Sequence, residues 1–175
     1  LFVAGDRIAP DITADLLVTE LMYNPPQVTG DTFSDNEEYE FIEFKNIGAD
    51  PLDLTGVSLT DGVTFDFAEG RVTSLNPGRF VLVVRNQTAF LDRYGGDLAP
   101  RIAGEYAGKL ANEGETVRLE DFSAGMVAEF QYNDGGGWPI EADGAGHSLV
   151  AMSGLGTLDE EDYWRASTYV GGSPG

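Results

Sequence analysis

The chain has 175 residues, 42% of them hydrophobic, so it is long enough to bury a core without disulfides or metal ions. Thirty acidic residues against ten Lys and Arg give a formal net charge of −20. This charge repels phosphate backbones and anionic lipid surfaces, so we expect no nucleic-acid partner. The chain has no cysteine and one histidine, which excludes thiolate zinc sites. The apolar runs are too short to span a bilayer, so no membrane insertion is expected.

In chain order, short segments rich in β-forming residues alternate with turn residues. Nine such segments lie at 15–24, 38–48, 52–54, 57–59, 63–67, 79–85, 115–121, 126–134 and 147–152. The continuous apolar run at 79–85 predicts a central strand with both faces covered. Between 126 and 134 apolar and polar residues alternate, which is typical of a half-buried strand.

One segment has a helical pattern, at 87–95. Thr88 is a candidate N-cap, Leu91 and Tyr94 lie one turn apart, and Gly95 ends the pattern. About nine short strands with one short helix predict an all-β sandwich. No linker divides the chain, so residues 1–175 are predicted to form a single domain.

The order of several motifs resembles the bacterial branch of the lamin-tail family. These motifs are TELMYNPP, EFIEFKN, LDLTGVSLTDG, LNPGRFVLVVRN, GKLANEGETVRLED, YNDGGGWPIEADGAGHSL and DYWRAS. The resemblance runs from about Leu16 to Pro174. It implies an immunoglobulin-like sandwich without catalytic activity, with a core over about 15–174, cut from a larger polypeptide. The coiled-coil rod of nuclear lamins is absent from this sequence, so filament assembly is not implied.

An acidic segment is the candidate cation site. Calcium takes six to eight oxygen ligands, and carboxylates concentrated on one loop can supply them. The spacing does not match the twelve-residue EF-hand loop, and a solvated acidic surface is the alternative interpretation. The candidate ligands are Asp31, Asp35, Glu37, Glu38 and Glu40.

Two glutamates and one adjacent His–Ser pair are candidate catalytic groups. Glu20 and Glu43 lie within apolar strands and match glutamates in the family motifs. If their strands pair, they can share an Arg or a cation, but hydrogen bonding to loop backbone is the favoured interpretation. His147 and Ser148 are adjacent on a strand and therefore point to opposite faces, which is incompatible with a catalytic triad.

The glycine-rich segment before Trp138 lacks the Lys of a phosphate-binding loop. We expect its glycines to let the loop fold back so that Trp138 and Pro139 close one end of the sandwich. Trp164 is expected to have the same role, and Arg165 is available to pair with a carboxylate.

The sequence therefore predicts an accessory or protein-interaction module of a larger exported or cell-surface bacterial protein. Its partners are expected to be an unidentified protein or glycan, together with neighbouring domains of the same polypeptide. No cofactor is required, and calcium is the one candidate. The rival hypothesis is a calcium-dependent adhesion or carbohydrate-binding module, and a hydrolase ranks third.

Overall fold

The computed structural model describes residues 10–152 and 157–175. Its two α-helices are α1 (Ile12–Asp15) and α2 (Gln87–Tyr94). Its strands are β1 (Leu16–Met22), β2 (Phe41–Asn46), β3 (Leu52–Asp53), β4 (Val57–Asp61), β5 (Phe65–Asp66), β6 (Ser74–Leu75), β7 (Phe80–Val84), β8 (Ile102–Glu105), β9 (Thr116–Asp121), β10 (Gly125–Gln131), β11 (Leu149–Ala151) and β12 (Trp164–Ala166). Short 3-10 turns lie at Asn36–Tyr39, Phe67–Glu69, Gly96–Arg101, Ile140–Ala142 and Glu161–Tyr163.

The larger sheet has six strands in the order β12–β11–β1–β2–β7–β8. Its neighbours pair antiparallel except β7 and β8, which run parallel and are joined by α2. Glu20 on β1 lies opposite Glu43 on β2 in the register. The two glutamates are therefore cross-strand neighbours.

The smaller sheet has four strands in the order β10–β9–β4–β5, and β3 and β6 form a separate two-stranded ladder. β9 and β10 are an antiparallel hairpin whose register shifts between Met126 and Ala128, so a bulge lies at this point of the edge strand. β5 and β10 are the two edges of this sheet, and β8 and β12 are the edges of the larger one.

The main core lies between the sheets and includes Ile42 and Val83 from the larger sheet and Leu119 from the smaller one. A second apolar cluster covers the outer face of the larger sheet, where Phe41 packs beneath Phe90 of α2. Alternate residues of β2 and β7 enter the two cores, so these strands are buried on both faces. The prediction of a central strand at 79–85 is confirmed.

The predicted all-β immunoglobulin-like sandwich is confirmed, and each of the nine predicted segments contains a strand. The structure adds β6, β8 and β12. The helix is confirmed as α2, but the predicted cap was wrong. Asn86 caps α2 by accepting a hydrogen bond from the Ala89 N–H at 3.0 Å, because it lies one position before the first helical residue. Gly95 ends the helix with φ of +101°.

Candidate functional site

The acidic loop is fixed to its surroundings through separate ion pairs. Asp31 Oδ2 lies 2.5 Å from Arg93 Nη2, and both side chains are 9% exposed. The guanidinium of Arg93 also lies over the Tyr39 ring, 3.4 Å from its centroid. Because a buried guanidinium is costly without a counter-ion, Asp31 and Tyr39 together stabilise Arg93 in this position. The loop is thereby anchored to α2.

The next three candidate ligands have other partners. Asp35 caps the 3-10 turn by accepting from the Glu37 N–H at 3.1 Å. Glu37 lies 2.9 Å from Lys109 Nζ, and Glu38 lies 3.9 Å from Arg85 Nε. These carboxylates therefore serve as a cap and as surface ion pairs.

Glu40, the fifth candidate ligand, is fully buried. Its Oε2 accepts hydrogen bonds from Tyr106 Oη at 2.8 Å and from the Leu110 N–H at 3.0 Å. Its Oε1 has no hydrogen-bond partner among the described residues. Burial raises the pKa of Glu40 to about 8, so the neutral acid is the main form at pH 7.

The structure therefore does not gather the five acidic residues around one point. In residues 10–152 and 157–175, no group of three or more His, Cys, Asp or Glu side chains is placed to hold a metal ion. Calcium binding by Asp31, Asp35, Glu37, Glu38 and Glu40 stays a prediction.

Glu20 and Glu43 form a buried pair that holds the C-terminal segment, here called the tail (residues 171–175). Glu20 Oε1 accepts from Ser148 Oγ at 2.5 Å and from the Ser173 N–H at 2.6 Å. Glu43 accepts from Thr19 Oγ1 at 2.7 Å and from the Gly175 N–H at 2.5 Å. The preferred interpretation, hydrogen bonding to loop backbone, is confirmed.

The same burial changes the acidity of both groups. Burial raises the pKa of Glu20, and burial together with the nearby charge of Glu20 raises the pKa of Glu43 to about 7. Glu20 is 2% exposed and Glu43 is 3% exposed, with the tail lying over them. The pair is therefore positioned to fasten the tail, and the tail separates it from solvent.

The adjacent His147 and Ser148 have different partners. His147 Nδ1 lies 2.7 Å from the Ser167 carbonyl oxygen, whereas Ser148 Oγ donates to Glu20. Among the described residues, the imidazole is thus oriented by a backbone carbonyl and the hydroxyl by Glu20, which is not the arrangement of a catalytic triad. Both residues join β11 and the segment after β12 to the rest of the larger sheet.

The two tryptophans pack against each other at the main core, and the closing of one end of the sandwich by Trp138 and Pro139 stays a prediction. The Trp138 and Trp164 rings lie 6.2 Å apart, and Trp164 also contacts Phe130 with a centroid distance of 5.6 Å. Trp164 Nε1 donates to the Leu158 carbonyl at 2.8 Å, which satisfies its buried donor. Arg165 is exposed and donates to the Ala166 carbonyl oxygen at 3.0 Å.

One surface was missed by sequence reasoning. The β9–β10 hairpin carries Phe122, which is 97% exposed, and Met126, which is 54% exposed. Large exposed apolar side chains at a sheet edge are typical of interaction surfaces. The signal in the sequence was an aromatic residue inside the turn segment Asp121–Gly125, where a polar residue is the usual choice. Phe122 and Met126 are called the hairpin surface below.

The two packed sheets define the protein class as an immunoglobulin-like β-sandwich. The chain belongs to the Lamin Tail Domain family, whose model matches residues 10–134. A search of curated proteins gives no match to the chain. β11, β12 and the tail lie beyond the matched residues, yet β11 pairs directly with β1. Among the described residues, no helix is long and apolar enough to cross a membrane.

Proposed function

We propose that this domain is a non-catalytic protein-interaction module that binds its partner through the hairpin surface. The exposure of Phe122 carries the proposal, because a fully exposed phenylalanine in a soluble domain gains free energy when a partner covers it. The engagement of the buried glutamates with the chain's own N–H and hydroxyl groups supports the non-catalytic part. The partner is expected to tolerate or complement an acidic surround, given the net charge of −20.

The test is site-specific photo-crosslinking in the full-length parent protein within its own cells. A benzophenone amino acid replaces Phe122 in one variant and Ile140 in a control, since Ile140 is 73% exposed and lies in the 3-10 turn Ile140–Ala142, outside the β9–β10 hairpin. We expect a discrete covalent adduct at position 122 that is absent at position 140. Absence of an adduct at 122, or the same adducts at both positions, would contradict the proposal.

The wider setting is proposed on the family resemblance: an accessory domain of a larger exported or cell-surface bacterial protein, beside other domains of the same polypeptide. Fractionation of cells expressing the parent protein tests this directly. We expect the protein in the surface or extracellular fraction, and exclusive recovery in the cytoplasm would contradict the localisation.

A calcium-dependent adhesion or carbohydrate-binding module is the rival proposal, and a thermal melt separates it from the hairpin proposal. Binding of calcium to the folded state alone raises the melting temperature, by an amount set by the ratio of free calcium to its Kd. If Asp35 and Glu37 contribute ligands, the calcium-induced rise in melting temperature is lost in a variant that combines Asp35→Asn with Glu37→Gln. No shift between excess calcium and chelator would remove the calcium proposal and leave the hairpin proposal intact.

A further inference from the structure

The open side of the sandwich, between the edge strands β5 and β8, contains a cleft of about 880 Å³. Backbone hydrogen bonds join residues of its lining at two places. Thr64 and Ala107 exchange hydrogen bonds of 2.9 and 2.8 Å, and the Arg71 N–H donates to the Ala103 carbonyl at 2.7 Å. The walls are therefore fixed by the fold, and the volume lies within the range of about 300–1,000 Å³ typical of small-ligand sites.

A small apolar area forms part of this cleft. The half-buried Phe65 ring packs against Gly104, where a Cβ atom would lie only 2.6 Å from Phe65 Cε2. The glycine on β8 thus allows the ring to lie across the gap between the sheets. Leu91 of α2, also half-buried, lines the cleft together with Phe65.

Two charged side chains of the cleft have no partner in the part of the chain that the structure describes. Neither Glu69 nor Arg71 forms a side-chain hydrogen bond or ion pair there, although both line the cleft. The other two carboxylates are engaged: Asp66 accepts from the Ala68 N–H at 2.8 Å, and Glu105 accepts from the Gln87 N–H at 2.7 Å. Among the described residues, Glu69 and Arg71 are therefore the exposed ionic groups of the lining that remain available to a ligand.

The residues that line the cleft indicate which chemical class of ligand it can bind. Three carboxylates and one guanidinium give the cleft a net negative charge, which disfavours phosphate, sulfate and uronate groups. The remaining polar lining consists of hydroxyl and amide side chains: Ser58, Thr64, Gln87 and Thr88. A carboxylate accepts hydrogen bonds from neighbouring hydroxyls, a guanidinium donates to ring and hydroxyl oxygens, and an aromatic ring packs against sugar C–H groups.

We propose that this cleft binds a neutral saccharide, with Glu69 and Arg71 as polar anchors and Phe65 packed against a sugar ring. The site lies at the β5 edge of the smaller sheet, whereas the hairpin surface lies at the opposite edge, β10. The proposal therefore goes beyond the protein-interaction role and does not depend on it.

Saturation-transfer NMR followed by titration calorimetry tests the proposal on the whole chain. The probes are the neutral trisaccharides cellotriose, maltotriose, chitotriose, xylotriose and mannotriose, with trigalacturonic acid as the anionic comparator. We expect at least one neutral probe to bind, and Glu69→Gln combined with Arg71→Gln to weaken it at least tenfold. The matched control, Arg118→Gln with Glu129→Gln, removes an exposed ion pair on the β9–β10 hairpin and should leave Kd unchanged.

Three results would overturn the proposal: no binding of any neutral probe, equal weakening by the cleft and control variants, or binding of trigalacturonic acid alone. Thermal melts of both double variants check that they remain folded. A Phe122→Ser variant should bind the sugar as the unmodified chain does, so failure of the hairpin proposal and failure of the cleft proposal are observed separately.

Discussion

Replacing the buried Glu40 with glutamine should make folding stability less dependent on pH. Burial raises the pKa of Glu40 from 4.5 to about 8, so the folded state holds a proton that the unfolded chain releases. The stabilisation from this group is complete below pH 4.5 and is lost as pH rises through about 8. At about 1.4 kcal/mol per pKa unit, the full difference across this window is on the order of 5 kcal/mol.

Glutamine matches the neutral acid in shape and retains an oxygen that can accept from Tyr106 Oη and the Leu110 N–H. We therefore expect the Glu40→Gln variant to have nearly the stability of the unmodified chain at pH 5. As pH rises towards 8, it should become relatively more stable by about 1.4 kcal/mol per pH unit. Urea unfolding followed by tryptophan fluorescence at pH 5, 6, 7, 8 and 9 measures this difference.

Glu37→Gln is the matched control, because Glu37 pairs with the exposed Lys109 and belongs to the same loop. Its stability difference should stay within about 0.5 kcal/mol at every pH, as is usual for surface ion pairs. The reasoning would be refuted if the free energy of unfolding of the Glu40→Gln variant differed from that of the unmodified chain by the same amount at pH 5 and pH 9. In that case Glu40 is ionised in the folded state throughout.

Three further changes test the packing described above. Gly172→Val should release the tail, because Gly172 has φ of +88° and an added Cβ would lie 2.7 Å from Glu20 Oε1; hydrogen exchange at Ser173 should increase. Arg93→Ala should cost about 3–5 kcal/mol in urea unfolding, since it leaves Asp31 without its counter-ion. Trp164→Ala should cost about 3–5 kcal/mol by removing a buried aromatic side chain, measured by the remaining Trp138 fluorescence.

Each of these changes has a contradicting result. Unchanged exchange at Ser173 would mean that the tail is not fastened by the buried glutamates. An Arg93→Ala variant as stable as an Arg118→Ala control would mean that the loop ion pair is worth no more than an exposed one. A loss below about 1 kcal/mol for Trp164→Ala would place that ring outside the core.

The strands that sequence reasoning found are those with enough length or β-branched residues to show a pattern. β7 was clear because five apolar residues follow a tight turn. β8, with the sequence IAGE, was missed because Ala and Gly have low β-propensity, and its pairing partner β7 is provided by tertiary structure. β6 has two residues and β12 has three, which is too short for a period of two to be recognised.

At the candidate site, the sequence predicted only those interactions that depend on a residue's immediate neighbours along the chain. Hydrogen bonding of Glu20 and Glu43 to backbone followed from their place inside apolar strands. The partners of Asp31 and Glu37 did not, because Arg93 and Lys109 are 62 and 72 residues away along the chain. Exposure of Phe122 also escaped prediction, because whether other elements of the fold cover a side chain in a turn is decided by tertiary structure.

The pairing of β11 with β1 has a practical consequence for anyone who expresses this domain. A recombinant fragment that stops at residue 134 would leave the backbone of Glu20 and Leu21 without its β11 partner. It would also uncover the Glu20 carboxylate and remove Trp164 from its place beside Phe130. We expect such a fragment to associate through the bared strand, so soluble production requires the chain to continue through the tail.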